Sequence, residues 1–322
     1  MSKVIGIDIS KKTFDVGFLL SSKWQHKVFD NTDKGFKKLL KLVEPEDWIV
    51  MEASGPYYLQ LATFFYNADI KVSVLNPLII KRYSQARLYR AKTDKKDAKT
   101  IAEYGAQYEL KEWCPESAEN VQIKQLYTAV QLLQKQKHQT RMQLKAFEAT
   151  GLISKELRNE LKQVVVLLSR RIEKLEKRIE TIATGCYKES IKKLKTIPGV
   201  GIKTAVMMCV ITDNFSKFEN YKQLIAYVGF SPRLYQSGTS VRGKGHICKM
   251  GKGQIRKLLY MCSWSAKRYN KKCVEMYTRL EKKGKPERVI KIALANKLLK
   301  QIFSIGKKQQ NYIPDYDRLS VA

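Results

Sequence analysis

The sequence predicts an α/β domain at the N-terminus followed by a mostly helical part, and three observations support this fold class. The first hundred residues alternate between strand-like and helix-like patterns, as in α/β domains. Residues 118–184 contain no proline and one glycine, with apolar residues three or four positions apart, which favours long helices. The length of 322 residues exceeds what one hydrophobic core usually holds, so at least two domains are expected.

Five apolar runs in the first part of the chain predict five strands. VIGIDIS and TFDVGFLL are joined by a tight turn at Lys11-Lys12, and WQHKVFDN follows as the third strand. WIVME and KVSVLN are the fourth and fifth strands.

Helices are predicted between the later strands. One covers Lys34–Val43 with Asp33 as its cap, another starts near Pro56, and a third starts at Pro77. Three strands, a helix, a strand, a helix and a strand is the element order of the ribonuclease H and RuvC-like fold. We therefore predict a mixed sheet of this topology, flanked by helices, for residues 1–110.

Residues 111–188 are predicted to form a helical connector, either a long hairpin or a coiled coil. Its apolar positions at helical spacing are Leu126, Val130, Leu133, Leu161, Val165, Leu168, Ile172, Leu175 and Ile179. Three roles stay open for the connector: a spacer, a dimerisation element, or a grip on nucleic acid through its many lysines and arginines.

Residues 189–322 are predicted to form a helical domain that begins with two helices joined by the turn IPGVG. The glycines allow a tight turn whose backbone N–H groups face the start of the next helix, a ready anion site. Gly199, Gly201 and Lys203 are therefore candidate nucleic-acid contacts, in a pattern that resembles the helix–hairpin–helix motif of DNA-binding enzymes. The alternative is a turn that only joins two helices.

The charge of the chain indicates a polyanionic partner. Lys and Arg number 61 against 30 Asp and Glu, a net charge of +31. Residues 1–110 hold 18 basic and 13 acidic side chains, and the rest hold 43 and 17, so the excess lies in the connector and the C-terminal domain. Nucleic acid is the first partner to expect. No apolar run is as long as a membrane span and the N-terminus lacks a signal peptide, so a cytoplasmic protein without a membrane partner is expected.

Four carboxylates are candidate ligands of a metal ion. Asp8 and Glu52 close two predicted strands, and Asp94 and Asp97 lie three apart on a predicted helix, on one face. Phosphodiester chemistry uses such clusters, because hard cations such as Mg²⁺, or Mn²⁺ in its place, prefer carboxylate oxygen. The six cysteines form no CxxC pair and only three histidines are present, so neither a zinc ribbon nor a disulfide framework is indicated.

Each carboxylate also has a structural interpretation. Asp8 would make a turn hydrogen bond, Glu52 would cap the following helix, and Asp94 and Asp97 would be solvated charges at a helix start. A strand ending in GIDIS also opens sugar-kinase and actin-like ATPase domains, but no second Asp-x-Gly hairpin and no glycine-rich adenosine loop follow.

A glycine-rich polar segment from Gly229 to Gly253 offers a candidate nucleophile. It contains three serines among small and basic residues, and guanidinium groups beside a serine would stabilise charge on a phosphate. The residues that we single out are Ser231, Ser237, Ser240, Tyr235, Arg233, Arg242, Lys244, His246 and Lys249. Composition alone favours a solvated, phosphate-contacting loop without a nucleophile.

Together, these motifs resemble the transposases of the insertion-sequence 110 family. The motifs are GIDIS, MEASG, KTDKKDA, IPGVG, the GFSPRLYQSGTSVRGKGHICKMGKGQIRKLL block and GKPERVIKIALANKLLKQIF, and they span nearly the whole chain in the expected order. The resemblance implies a bacterial, nucleoid-associated recombinase with a RuvC-like domain, a coiled coil and a C-terminal transposase domain.

The resemblance also implies a mechanism. Asp8, Glu52, Asp94 and Asp97 would hold magnesium, and Ser237 of Ser237-Gly238 would be the nucleophile, with Ser240 as the fallback. A structured bridge RNA would choose donor and target DNA by base pairing. The carboxylates of one subunit would serve the serine of another, so a homodimer or homotetramer is expected.

One motif departs from the family pattern. The chain has Lys249-Met250-Gly251-Lys252 where the family usually has Lys-Arg-Gly-Asn, which puts a local turn or a nucleic-acid contact in doubt. Arg256 stands where the family has a helix arginine, and it joins Arg233, Arg242 and Lys244 as a candidate phosphate contact.

Two rival functions stay open at this stage. A RuvC-like nuclease would resolve branched DNA with metal-activated water and no serine. A non-catalytic RNA- or DNA-binding scaffold would use the carboxylates only for structure.

Overall fold

The structure is a computed structural model that describes residues 3–20, 23–89, 93–233, 236–237, 241–242, 246–248 and 250–314. The chain divides into two compact units, Met1–Glu116 and Ser117–Ala322. The finer division into three segments at residues 110 and 188 stays a prediction.

The first unit contains a five-stranded mixed sheet. Its strands are β1 (Val4–Ile9), β2 (Thr13–Leu20), β3 (Lys23–Asp30), β4 (Trp48–Glu52) and β5 (Lys71–Leu75). The strand order is β3-β2-β1-β4-β5, with antiparallel pairing from β3 to β1 and parallel pairing from β1 to β5. The predicted α/β class is confirmed. The turn at Lys11-Lys12 is also present, and the Ser10 amide donates to the Thr13 carbonyl over 2.9 Å.

Four helices cover this sheet: α1 (Asp33–Leu40), α2 (Tyr58–Asn67), α3 (Pro77–Ala86) and α4 (Asp94–Gln107). The predicted cap of α1 is wrong by one residue. Thr32 has the extended backbone that a cap needs, and its hydroxyl accepts from the Gly35 amide. Asp33 lies instead in the first turn, paired with Lys37 at 2.7 Å.

The alternation of side chains along β1 separates the two faces of the sheet. Ile5, Ile7 and Ile9 are buried in a cluster that includes Phe36 of α1 and Phe65 of α2. On the opposite face, residues of β4, α3 and α4 form a second, smaller cluster. Gly6 and Asp8 belong to this second face, because they alternate with the three isoleucines.

Glycines let α4 approach the second face at backbone distance. A Cβ on Gly6 would overlap the carbonyl oxygen of Ala98, and one on Gly17 would lie 3.0 Å from the Lys99 amide nitrogen. On the helix side, a Cβ on Gly105 would lie 2.8 Å from a methyl group of Val4. The depth of α4 on the sheet is therefore set by contact between main chains.

We expect the substitution Gly6→Ala to lower the free energy of unfolding by about 3 kcal/mol or more, because the added methyl group meets backbone that has no rotamer to change. The matched control is Gly185→Ala, whose Cβ would meet nothing within 4 Å. Denaturant unfolding of both variants measures the difference. Equal stability of the two variants would contradict the close approach of α4.

The second unit is helical. Its helices are α5 (Ala118–Ala149), α6 (Lys155–Lys195), α7 (Ile202–Thr212), α8 (Tyr221–Val228), α9 (Gly253–Tyr269), α10 (Lys271–Lys282) and α11 (Glu287–Lys308). One cluster of buried side chains joins the base of the α5–α6 pair to the helices that follow. No helix within the described part of the chain is both long and apolar enough to cross a membrane.

The two long helices of the predicted connector are present as an antiparallel pair. From residue 131 to residue 171, no side chain of this pair is buried, so its outer half adds no buried side chain to the core of the second unit. α6 continues past the predicted end of the connector to Lys195, with a non-helical backbone at Tyr187. The Tyr187 hydroxyl donates to the Asn120 side chain over 2.8 Å, which fastens this kink to the start of α5.

The described residues of the polar, glycine-rich segment between α8 and α9 form four two-residue strands. They are β6 (Pro232–Arg233), β7 (Gln236–Ser237), β8 (Val241–Arg242) and β9 (His246–Ile247). β6 pairs with β9 and β7 pairs with β8, both antiparallel. We call the β7–β8 pair the serine hairpin, and β6 and β9 form its base.

Candidate functional site

Asp8 and Glu52 lie at the same end of the sheet. β1 and β4 are parallel with Ile7 opposite Met51, and the two carboxylates are the next residues on their strands. Both lie on the face that α4 covers, because they follow Gly6 and Val50 by two residues. The Ser54 hydroxyl donates to a Glu52 oxygen over 3.2 Å.

Asp94 and Asp97 lie in the first turn of α4. Thr93 caps this helix by accepting from the Lys96 amide over 3.3 Å. Ala98, one turn after Asp94, is the residue whose carbonyl meets Gly6. Because Gly6 precedes Asp8 by two residues on the same face of β1, the helix start lies near the end of that strand.

The pKa of Asp8 reflects both its burial and the charges of the other predicted carboxylates. Its pKa is raised to about 6, first by burial and then by the negative charges of Asp97, Asp94, Glu52 and Asp15. In the absence of a cation, these carboxylates repel one another. A bound cation would relieve this repulsion.

The carboxylates are not in coordinating positions in this structure. Among the residues it describes, no three His, Cys, Asp or Glu side chains converge closely enough to hold an ion. The donors are nonetheless all carboxylate oxygens, which suits a hard divalent cation. Residue types and electrostatics therefore fit a metal site, while the ligand geometry is not formed.

We expect the metal-free protein to gain stability from Asp8 as the pH falls. The pKa of about 6 in the folded chain lies above the ordinary value of 3.8, so the folded state binds this proton more tightly. The contribution of Asp8 is unfavourable above about pH 6 and fades as the pH falls towards about pH 4. Asp8→Asn should therefore raise the melting temperature at about pH 7.5 and change it much less at about pH 4.5.

Thermal unfolding of both proteins in chelator measures this effect. A stabilisation by Asp8→Asn that does not depend on pH would contradict it.

Asp15, which was not among the predicted site residues, lies directly opposite Asp8 in the β1–β2 pair. The His26 Nε2 atom is 2.7 Å from an Asp15 carboxylate oxygen. The predicted turn at Lys11-Lys12 could have revealed this pairing, because a two-residue turn there places residue 15 opposite residue 8.

The turn between α6 and α7 shows different roles for its two glycines. Gly199 has a left-handed backbone with φ of 98°, and a Cβ there would lie 2.9 Å from that of Ala266 on α9. Gly201 caps α7 in open space. The Lys203 ammonium is exposed and 2.7 Å from Glu176 of α6. Gly199 thus serves packing, and the nucleic-acid contacts of this turn stay a prediction.

Ser237 is the last residue of β7, opposite Val241 of β8. The loop that joins the two strands, Gly238 to Ser240, lies outside the described residues, as do Lys244, Tyr235 and Lys249. For Ser237, Arg233, Arg242 and His246 only the backbone is described.

Arg256 is bound to the protein's own backbone. Its guanidinium donates to the Val228 carbonyl at the end of α8 over 2.7 Å. Gly229 follows with φ of 86°, and Gly251 packs beside it with φ of 131° and no room for a Cβ, which would lie 2.7 Å from the Tyr227 carbonyl oxygen. The residues on either side of Gly251 depart from the family pattern, but the turn requires a glycine at position 251 itself.

Two protein-family matches include the segment with the four carboxylates and the segment with the serine. A DEDD transposase family of the IS110 type matches residues 5–147, and a transposase family described as IS116/IS110/IS902 matches residues 191–279. The chain is 31% identical to the pilin gene-inverting protein of Moraxella lacunata, over 97% of this chain and 98% of that protein. The chain belongs to the IS110 family of transposases. The resemblance inferred from the sequence motifs is confirmed.

Two further similarities are more distant. The IS110-family chain is 22% identical to the transposase for insertion sequence element IS1111A of Coxiella burnetii, over 96% of this chain and 91% of the relative. A solved structure of T. thermophilus RuvC in complex with a Holliday junction substrate is 13% identical, with a TM-score of 0.26, and covers 33% of this chain and 93% of that one. Membership of the family makes the chain a transposase or recombinase, a class of DNA-processing enzyme.

Proposed function

We propose that this transposase cuts and rejoins DNA through a phosphoserine link formed by Ser237. Asp8, Glu52, Asp94 and Asp97 hold magnesium, or manganese in its place. The observation that carries the metal part of the proposal is the register of β1 and β4, which brings Asp8 and Glu52 to one end of the sheet, and the raised pKa of Asp8 agrees with it. A partly buried concentration of negative charge beside the sheet end is what a divalent cation would stabilise.

The protein positions these ligands from two rigid elements. The parallel pairing of β1 and β4 aligns Asp8 with Glu52, and Ser54 holds one Glu52 oxygen. The close approach of α4 at Gly6 supplies Asp94 and Asp97. When bound, magnesium supplies electrostatic stabilisation of the charge that develops on the scissile phosphate.

Ser237 forms the covalent link. The Ser237 hydroxyl gives up its proton as its oxygen bonds to phosphorus, the bond from phosphorus to a deoxyribose oxygen breaks, and that departing oxygen gains a proton, so no net proton is released. Attack by the hydroxyl of another strand reverses the step and releases the serine. The place of Ser237 next to Gly238 supports this role, because glycine lets a phosphate backbone come close. Arg233, Arg242 and Lys244 supply positive charge, and Arg256 stabilises the end of α8.

The remaining parts follow from the same proposal. The first unit is a RuvC-like domain, the α5–α6 pair is a coiled-coil connector, and the turn before α7 is a helix–hairpin–helix element. Most of the net charge of +31 lies beyond residue 110, where a bridge RNA and the donor and target DNA would bind. A dimer or tetramer would bring the carboxylates of one subunit to the serine of another.

The experiment is a search for the covalent intermediate. Purified protein is incubated with magnesium, the non-coding RNA from the DNA flanking its gene and end-labelled donor DNA, and is then denatured. We expect a protein–DNA adduct that peptide mass spectrometry maps to Ser237. Free cleaved ends without an adduct would favour the RuvC-like nuclease. Tight, salt-sensitive binding without a magnesium-dependent product would favour the non-catalytic scaffold.

A further inference from the structure

A cavity of about 450 Å³ lies at the base of the serine hairpin. β9, α9 and α11 contribute to its lining, so it belongs wholly to the second unit. Its volume falls within the range of about 300–1,000 Å³ typical of sites for small ligands. Its lining combines apolar side chains, one tyrosine ring and cationic groups, and neither the family comparison nor the proposed catalytic residues account for this combination.

Three cations line this cavity, and none of them has a carboxylate partner. Arg288 of α11 and the neighbouring Arg256 and Lys257 of α9 form no ion pair within the part of the chain that the structure describes. Arg256 donates to the Val228 carbonyl instead. The adjacent Glu287 does not neutralise Arg288, because its carboxylate is bound by Lys267 at 3.1 Å and by Lys291 at 2.9 Å. The cavity therefore presents net positive charge, which suits a phosphate group.

The rest of the lining suits a flat apolar group. Phe230, Ile247 and Ile292 form apolar walls, and Tyr260 of α9 adds an aromatic ring. A nucleobase stacks on such a ring whatever its sequence. A base can enter the cavity only after it has left the stack of its own strand.

We propose that this cavity binds one unstacked nucleotide of the DNA strand that enters the serine hairpin. Arg288 and Lys257 bind its phosphate, and its base stacks on Tyr260. This inference rests on the proposed function for the identity of the strand. Ile247 of β9 lines the cavity and β9 pairs with β6, so a nucleotide held here would lie at the base of the serine hairpin.

The test is photocrosslinking of the full-length protein to a short single-stranded oligodeoxythymidylate that carries one iododeoxyuridine. A stacked aromatic ring is the expected target, so we expect the crosslinked peptide to contain Tyr260. Arg288→Ala should lower this crosslink about tenfold, the usual effect of a lost charge-assisted contact. Lys285→Ala, which removes an equal charge three residues away outside the cavity lining, should leave it unchanged.

The outcomes separate this inference from the proposed function. Crosslinks that map only outside Tyr260, or equal yields from Arg288→Ala and Lys285→Ala, would overturn the nucleotide site. Preferential crosslinking of an oligouridylate RNA would overturn the assignment to DNA. Crosslinking does not require cleavage, so it should persist in Ser237→Ala. If the covalent adduct is absent while the Tyr260 crosslink forms, the serine mechanism fails and the nucleotide site stands.

Discussion

Ser237→Ala is expected to abolish the covalent protein–DNA adduct and to lower strand transfer by about three orders of magnitude or more. The physical reason is that no other oxygen would stand in its place to displace the deoxyribose. DNA and RNA binding should stay unchanged, since the substitution removes one hydroxyl and no charge. Element excision and the adduct assay measure the chemistry, and gel shifts measure the binding.

Ser240→Ala is the matched control, because it removes the same hydroxyl three residues further along the serine segment. It should retain the adduct and most of the excision activity. Loss of the adduct in Ser240→Ala together with its survival in Ser237→Ala would move the nucleophile to Ser240. Full activity of both variants would contradict a serine mechanism in this segment.

Asp8→Asn is expected to have the second large effect, a loss of magnesium-dependent cleavage by about a thousandfold. Asparagine keeps the size of the side chain but removes the negative charge of a predicted metal ligand, and metal catalysis commonly depends on such a ligand. The protein should remain folded. Cleavage of labelled donor DNA at increasing magnesium concentration measures the loss.

Asp15→Asn is the control for Asp8→Asn. It removes an equal charge directly opposite on β2, but His26 already binds the Asp15 carboxylate at 2.7 Å. We expect it to lower cleavage far less than Asp8→Asn does. Wild-type activity in Asp8→Asn would rule out the metal assignment, and equal losses in the two variants would make charge alone, not ligation, the cause.

The order of strands and helices in the first unit could be predicted because its signals are local. Apolar runs, the turn at Lys11-Lys12 and Pro77 at a helix start act over a few residues. The proximity of Asp8 and Glu52 followed once two parallel strands were assumed. The sequence could not decide whether Thr32 or Asp33 caps α1, because both residue types can cap a helix and only the backbone angles distinguish them.

Contacts between distant segments could not be predicted from local patterns. The guanidinium of Arg256 donates to the Val228 carbonyl, 28 residues away in the sequence, and its phosphate contact stays a prediction. The pairing of Lys203 with Glu176 also joins two different helices. The role of Gly6 could not be predicted from the strand pattern, because it depends on which helix packs against that strand. The side chain of Ser237 lies outside the described residues, so its role rests on the sequence and on the family.

The contact between Gly6 and α4 also affects how this protein can diverge. Since main-chain atoms set the position of the helix, substitutions on its outer side need not move Asp94 and Asp97. The exposed Lys95 and Lys96 can therefore change while the carboxylates stay in place. Related chains should then tolerate substitutions on the outer side of α4 and keep small residues where the helix meets the sheet.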